Sequence, residues 1–413
     1  MRFMNKPIFD YDICISGGGM VGLTSALLLA KAGFSVLVLE KHQTRLPVKE
    51  QAWDLRCSAI TLASQTILES IDAWPKDNDR IQAYDAIQLW EQGCAAIDFK
   101  AQALALPALG YVIENNLVLQ ALLANVSNEP LMTYRAPAFL LNFTAGTMGW
   151  ELTVNDNELI KNLSCRLLIG ADGADSPLRK SMHLEQSGWA YDCAAMISHV
   201  QTNLPHQNMA YQCFTPDGPL AFLPLADKHR CSIVWSVEQN RAQELQSLND
   251  DDFSLELGRN FEFRLGAIEQ VASRHSFPLA LRYAKKRVLE GIALVGESAQ
   301  VLHPMAGQGL NLGIIDAWKL TQILIQAKNN HWDFGSYKVL RQYERWAKGR
   351  LLSLGLLTEG LHRLYQTSSP SLIQARRLGL RLFNQQSFLK HFCMEYAAGL
   401  NELSLKSADF EPS

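Results

Sequence analysis

Gly17, Gly19 and Gly22 stand in the spacing G-x-G-x-x-G, and Glu40 follows 18 positions after Gly22. In such a spacing the first glycine makes a tight turn, the second admits a pyrophosphate to the backbone, and the third lets a helix pack closely on a strand. A carboxylate at Glu40 suits an adenosine ribose and repels a 2′-phosphate. Together these four residues could seat a dinucleotide. A second group, Ala171-Asp172-Gly173, puts an acid and a glycine at the end of an apolar run, where open α/β sheets place ligand contacts. Turn-forming Asp residues do the same with no ligand. A third stretch, Leu294 to Asp316, carries Gly307 and Gly309 ahead of an apolar helical pattern. A helix opening near Gly309 would turn its unpaired N–H groups and positive dipole end outward. That end suits a phosphate or the electron-rich edge of a reduced flavin.

Arg56 sits in the polar stretch Glu50 to Ser64, ahead of a helix beginning near Ser58 or Thr61. It could salt-bridge Asp54 or face a cofactor. Asn115 and Asn116 precede the apolar run to Ala124 and would serve as helix N-caps.

The elements that must hold these residues can be read in order. Tyr11 to Ser16 and Ser35 to Leu39 are strand patterns around a helical run, Leu23 to Ala32, that stops at Gly33. This is a βαβ unit. Ile87 to Phe99 alternate as a strand pair, and further strands are expected around Ala138 to Phe143, Trp150 to Val154 and Cys165 to Gly170. From Ala190 the pieces Ala194 to Thr202, Met209 to Thr215, Pro219 to Pro224 and Arg230 to Val237 alternate between turn signals such as Pro216-Asp217-Gly218. They predict an antiparallel sheet. A helix is expected near Asp251 to Leu265, the first domain resumes at Ile292 to Val295, and helices follow Asp316, broken near Ser368-Ser369-Pro370.

At 413 residues the chain is long enough for two domains. A net charge of -3 gives no whole-protein reason to expect nucleic acid. Eight cysteines lie scattered, with no C-x-x-C pair and no nearby histidine ligands, so no metal site is expected. Reduced cysteines and the lack of a signal-like apolar start point to the cytoplasm. No apolar run reaches the roughly 18 residues a membrane span needs. Arg341 to Lys390 carries nine basic residues against Glu344 and Glu359, so the C-terminal region is basic.

Taken in order, these motifs resemble those of the single-component, FAD-dependent aromatic hydroxylases typified by p-hydroxybenzoate hydroxylase. More narrowly the chain resembles the ubiquinone-biosynthesis hydroxylases, the group that includes 2-octaprenylphenol hydroxylase. The residues that carry the resemblance are Gly17 to Gly22, Arg56 to Ser64, Gly110 to Asn115, Ala171 to Ser176, Phe214 to Leu225, Ser232 to Trp235 and His303 to Gly313. Cys231 to Ser236, Phe277 to Leu279 and Arg341 to Arg345 are more similar to the enzyme hydroxylating ring carbon C5, which is slightly favoured. Phe214 to Pro219 and Leu378 to Leu380 are more similar to the C6, demethoxyubiquinol-type enzyme.

The resemblance implies an α/β fold: a Rossmann-like FAD-binding domain with a mixed sheet, interleaved with an antiparallel-sheet substrate domain and followed by a helical C-terminal tail. The expected FAD domain is 1–72, 108–186 and 282–340, the substrate domain 73–107 and 187–281, and the helical region 341–413. It also implies FAD as cofactor, NAD(P)H and O2 as co-substrates, O2 activation at flavin C4a, and a polyprenylated phenol or quinol as substrate. Gly17, Gly19 and Gly22 would serve the pyrophosphate, Glu40 the ribose, Arg56 and Asn115 the ribityl-pyrophosphate region, and Asp172 with Gly173 the turn shared with NAD(P)H. His303, Pro304, Gly307, Gln308, Gly309 and Asn311 would line the isoalloxazine. Phe222, Leu223, Pro224 and Trp235 are pocket-wall candidates that also suit plain sheet core. A phenol activates its own ortho and para carbons, so no general base is assigned.

The family usually has Gly-Asp, two small residues and His where this chain has Gly296-Glu297-Ser298-Ala299-Gln300. Glu297 carries one extra methylene in place of that Asp, and retained but weaker FAD binding is expected. The departure keeps a second class open, a non-enzymatic FAD-fold carrier of lipidated ligands. Arg376, Arg377 and Arg381, interleaved with leucines, suggest a peripheral contact with the inner face of the membrane or with a biosynthetic complex. Oligomerisation is compatible with all of this.

Overall fold

The structure is a computed structural model that describes residues 9–43, 53–75, 79–94, 96–301, 309–366 and 386–400, with isolated positions at 371, 374 and 379. An eight-stranded sheet carries the dinucleotide motif. Tyr11–Ser16 lies at its centre, parallel to Val36–Leu39 on one side and to the end of Leu159–Gly170 on the other. Met132–Arg135 and Ile292–Leu294 extend the parallel array outward. Val36-Leu-Val-Leu39 is buried on both faces, as interior strands of a parallel sheet must be, so it is uninterruptedly apolar.

The two-residue period of a strand sorts these side chains into two cores. Ile13, Ile15, Val36 and Val38 pack with Leu23 and Leu27 of the helix Met20–Lys31 and with Ile314, Leu320 and Leu324 of the helix Gly309–Asn329. Cys14, Leu37 and Leu39 face the other way, against Leu152 and Val154. Those two residues belong to Trp150–Asp156, which pairs antiparallel with Ala138–Ala145 and with the first half of Leu159–Gly170.

The second large sheet has nine strands. Gln186–Thr202, Arg230–Glu238, Gly218–Pro224 and Met209–Thr215 run antiparallel in that spatial order. The sequence-predicted antiparallel sheet is therefore present, with two differences. The strand expected at Ala194 begins at Gln186 and continues through a register shift between Ala190 and Ala194. The strand Ala86–Glu91, hairpinned to the edge strand Ile97–Lys100, joins Met209–Thr215 in parallel, not antiparallel. The helices Gln239–Ser247 and Asp250–Asn260 cover one face through Ala242, Leu245, Phe253 and Leu257. Only the second helix was expected.

A small third sheet, Cys57–Thr61 with Gly110–Glu114 and Gln82–Tyr84, stands between the two large ones. Sequence reasoning took Cys57 to Thr61 as the approach to a helix. It is a strand, and the helix Leu62–Ser70 starts after it with the Thr61 hydroxyl accepting from the Ser64 N–H at 3.3 Å. The helices Tyr337–Gln366 and Ser387–Ala398 follow. The break expected at Ser368 to Pro370 lies outside the described residues, as do Arg376, Arg377 and Arg381.

Candidate active site

The sequence motifs meet in one cleft of about 1090 Å³, which Gly17, Gly19, Glu40, Arg56, Asn115, Asp172, Gly173, Glu297 and Gly309 all line. That volume lies slightly above the ~300–1,000 Å³ range of small-molecule pockets, in keeping with an extended dinucleotide. The backbone fits the role. Gly17 has φ +109°, and a Cβ there would lie 2.4 Å from the Ala171 carbonyl oxygen. A Cβ on Gly22 would lie 2.0 Å from the Gly17 carbonyl oxygen, so only glycine lets the helix Met20–Lys31 start this close to its strand. A Cβ on Gly19 would meet nothing within 4 Å. The first and third glycines are needed by the protein itself, while the second faces open space in the cleft.

Glu40, at the end of Val36–Leu39, accepts from the Gly18 N–H at 2.8 Å and from the His42 N–H at 2.9 Å. It therefore closes the glycine turn as well as lining the cleft. The Asp172 carboxylate receives the Leu178 N–H at 3.1 Å and the Ser16 hydroxyl at 3.5 Å on one oxygen. Its other oxygen is buried with no hydrogen-bond partner. Burial raises the Asp172 pKa, opposed by the nearby Ser176 hydroxyl and the Leu178 N–H. An orphaned acceptor at the lip of a dinucleotide cleft is a place for a ligand hydroxyl.

Arg56 contacts Asp54 through its backbone N–H at 3.0 Å, not its guanidinium, and the exposed side chain lines the cleft. Asn115 does not cap its helix. Glu114 is the N-cap, without a side-chain bond, and the Asn115 carbonyl accepts from the Ser58 hydroxyl at 2.6 Å. Glu297 is exposed in the cleft, on the turn Gly296–Ser298. Gly309 opens its helix onto the same space. Asn311 is used elsewhere: its amide donates to the Ala59 carbonyl at 2.7 Å and accepts from the Thr61 N–H at 3.0 Å, locking that helix to the small sheet. His303, Pro304, Gly307 and Gln308 lie outside the described residues. Sequence reasoning missed Phe139, Leu140 and Phe143 of Ala138–Ala145, and Phe277 to Ala280, as cleft lining. Long-range pairing brings them there, and no local signal marks them.

The pocket-wall candidates divide by strand alternation. Met196, Trp235, Leu220, Cys213 and Trp90 form one cross-strand row, sealed at 0–1 % exposure beneath the covering helices. Phe222 belongs to the same face and stacks on Phe261 with ring centroids 3.8 Å apart. Phe222 and Trp235 are thus sheet core. Pro224 is buried two residues on from Phe222, and Leu223 points to the opposite face, against the small sheet. On that face the next row, Ile197, Val234, Ala221, Gln212 and Leu89, is only half-buried throughout. Apart from Gln212 this row is apolar, and it is the more open face of the large sheet.

A parallel sheet with a glycine turn, and with Glu40 and Asp172 lining one cleft beside it, has the form of a dinucleotide-binding fold. The chain belongs to the family described as FAD binding domain, whose model matches residues 10–349. It is 36 % identical over 403 residues to the 3-demethoxyubiquinol 3-hydroxylase of Escherichia coli, covering 96 % of this chain and all of that protein. It is 33 % identical to the ubiquinone hydroxylase UbiL of Rhodospirillum rubrum, covering 95 % of this chain and 90 % of the relative. The p-nitrophenol 4-monooxygenase of Pseudomonas putida shares the fold, with a TM-score of 0.75 at 16 % identity over 95 % of this chain and 98 % of that one. The chain is an FAD-dependent aromatic monooxygenase that uses NAD(P)H and O2.

Proposed function

We propose that this enzyme hydroxylates the aromatic ring of a polyprenylated phenol or quinol in ubiquinone biosynthesis. The observation that carries the reading is the single cleft joining the glycine turn, the Asp172 turn and the Glu297 turn, lined on the large-sheet side by Phe277 to Ala280. Gly17, Gly19 and Arg56 would hold the pyrophosphate, Glu40 the ribose, and Asp172 and Glu297 the hydroxyls between pyrophosphate and ring. Bound there, FAD supplies electron transfer from NAD(P)H and activation of O2 for insertion into an aromatic carbon.

The protein's own contribution is to position and to exclude water. Ile197, Val234, Ala221 and Leu89 present no charge and suit a planar ring. The domain assignment above, 1–72, 108–186 and 282–340 against 73–107 and 187–281, accords with this division of labour. For the ring position, the C5 reading rests on Cys231 to Ser236 and its companion segments. The C6 reading is supported by Phe214 to Pro219 and by the name of the Escherichia coli relative. Complementation of strains lacking either hydroxylase, with the quinone intermediates identified by mass spectrometry, separates the two; rescue of neither strain contradicts the pathway assignment.

A water-insoluble substrate calls for contact with the membrane surface. Among the described residues, Phe388 and Phe392 stand 80 % and 55 % exposed on one helix with Lys390 between them, and no helix is long and apolar enough to cross a bilayer. A peripheral contact through this helix and the basic stretch before it follows. Flotation with anionic liposomes at low salt tests it; failure to float contradicts it.

A further inference from the structure

Where the small sheet faces the large one, an apolar interface contains a polar island. Cys57 and His199, 142 positions apart, meet with Sγ 3.6 Å from Nε2. Ser232 is the cross-strand neighbour of His199 and lies near the thiol, which itself donates to the Asp54 backbone carbonyl at 3.5 Å. Leu223, Ala59 and Val112 flank this face. The island sits at one end of the open row: Ile197 and Val234, half-buried, are the next residues along the same face of the same two strands. It also adjoins the cofactor cleft, because Arg56 and Ser58, on either side of Cys57, turn into that cleft while Cys57 turns away from it.

His199 is 8 % exposed, and among the described residues its Nδ1 has no hydrogen-bond partner. Burial drives the imidazole pKa down to about 4, and burial raises the thiol. Both groups are neutral at working pH. The charges around them are Asp54 and Glu114 on the small-sheet side and Arg80 and Arg230 beyond. The two guanidiniums are paired, Arg80 with Glu114 at 2.7 Å and Arg230 with Asp227 at 3.3 Å. An anionic ring substituent such as a carboxylate would find no unpaired cation there. A neutral hydroxyl would find an imidazole nitrogen that no described protein group occupies.

We propose that His199, held by Cys57, is the hydrogen-bond partner of the substrate's ring hydroxyl, and so restricts the enzyme to neutral hydroxyarenes. The proposal rests on the hydroxylase reading above. Cys57 fixes the imidazole through Nε2, which leaves Nδ1 for the substrate, and the row from Ile197 to Leu89 holds the ring beside it. Cys57 is a positioning residue, and His199 makes the contact.

The test uses the FAD-loaded enzyme, a short-chain prenylphenol, its methyl ether and the matching prenylbenzoate, with binding followed by perturbation of the flavin spectrum. The wild type should bind the phenol at least about ten-fold more tightly than the ether, one hydrogen bond's worth in a dry site, and the benzoate more weakly still. His199→Phe should erase the phenol-over-ether preference and raise KM for the phenol. His199→Gln should restore part of it, and Cys57→Ala should reduce it less than His199→Phe does. Thermal unfolding of each variant controls for folding, and Cys57→Ala carries the test where His199→Phe does not fold. A His199→Phe or Cys57→Ala enzyme that keeps the full preference overturns the proposal, as does a wild type that does not distinguish phenol from ether. A wild type that holds FAD and oxidises NAD(P)H but hydroxylates no phenol overturns the hydroxylase reading itself, and this inference falls with it.

Discussion

Arg287 and Asp316 meet at 3.4 Å with both side chains sealed from solvent, directly behind the turn that carries Glu297 into the cleft. Arg287 also donates to Gln300, its backbone N–H reaches Glu344 at 2.9 Å, and Arg350 approaches Asp316 from the helix Tyr337–Gln366. Burial raises the Asp316 pKa, and the two guanidiniums oppose it. Four segments distant in sequence are pinned by this network at the floor of the site.

Removing one partner leaves the other charge buried alone. Asp316→Ala should lose about 3–5 kcal/mol of stability, read as the urea unfolding free energy. A joint change of Arg287 and Asp316 to Met and Leu should recover much of it. A single variant as stable as the wild type would show that the pair is not buried in solution.

The glycine turn gives a contrast within three residues. Gly22→Ala drives a Cβ to 2.0 Å from the Gly17 carbonyl oxygen and should cost about 3 kcal/mol, the upper end of overpacking penalties. Gly19 has φ -72° and open space around a Cβ. Gly19→Ala should therefore keep the wild-type unfolding temperature and weaken FAD binding about ten-fold or more in a fluorescence titration. Equal losses of stability from both would contradict the assignment of Gly19 to the ligand.

Asp172 pays for its position in the FAD-free protein. Its folded pKa is raised by burial, so the native state holds the proton more tightly than the unfolded chain does. Its contribution to stability is then greatest below the ordinary carboxylate pKa and is lost as pH rises through the raised value. Asp172→Asn should make the apoprotein more stable than wild type at neutral pH, with the difference shrinking on acidification, while FAD affinity falls. Urea unfolding at several pH values checks it; a stability difference that grows on acidification would contradict it.

The two faces of the large sheet should respond differently. Phe222→Ala, beneath the helices, should cost about 3–5 kcal/mol with little change in KM. Ala221→Phe and Val234→Trp fill the open row and should raise KM for the phenol with full flavin content. The reverse pattern in a kinetic and unfolding comparison would move the ring to the other face.

These contrasts show where the sequence was legible. Gly17, Gly22 and Glu40 could be read because the turn is local and its spacing is set by backbone geometry. The strands from Met209 to Val237 could be read because alternation and turn residues are local too. Which face of those strands is sealed beneath helices and which is left half-buried was not readable, since a shift of one residue exchanges the faces and only the pairing decides. Phe222 and Val234 are equally apolar on paper. The Cys57–His199 contact was invisible because it joins two sheets 142 positions apart. The helix Gln239–Ser247 escaped notice because Ala242 and Leu245 are its only buried residues, too few for a periodic signal. Asn115 looked like a helix cap, yet its side chain serves Ser58 instead.

The most direct measurement is turnover of the FAD-loaded protein with NAD(P)H, a prenylphenol and isotopically heavy O2, with the product analysed by mass spectrometry. The account predicts flavin reduction by NAD(P)H, faster reoxidation in the presence of the phenol, and one heavy oxygen atom on the product ring. A protein that cannot be reconstituted with FAD, or one that leaves the ring unlabelled and converts all the O2 to peroxide, would contradict it.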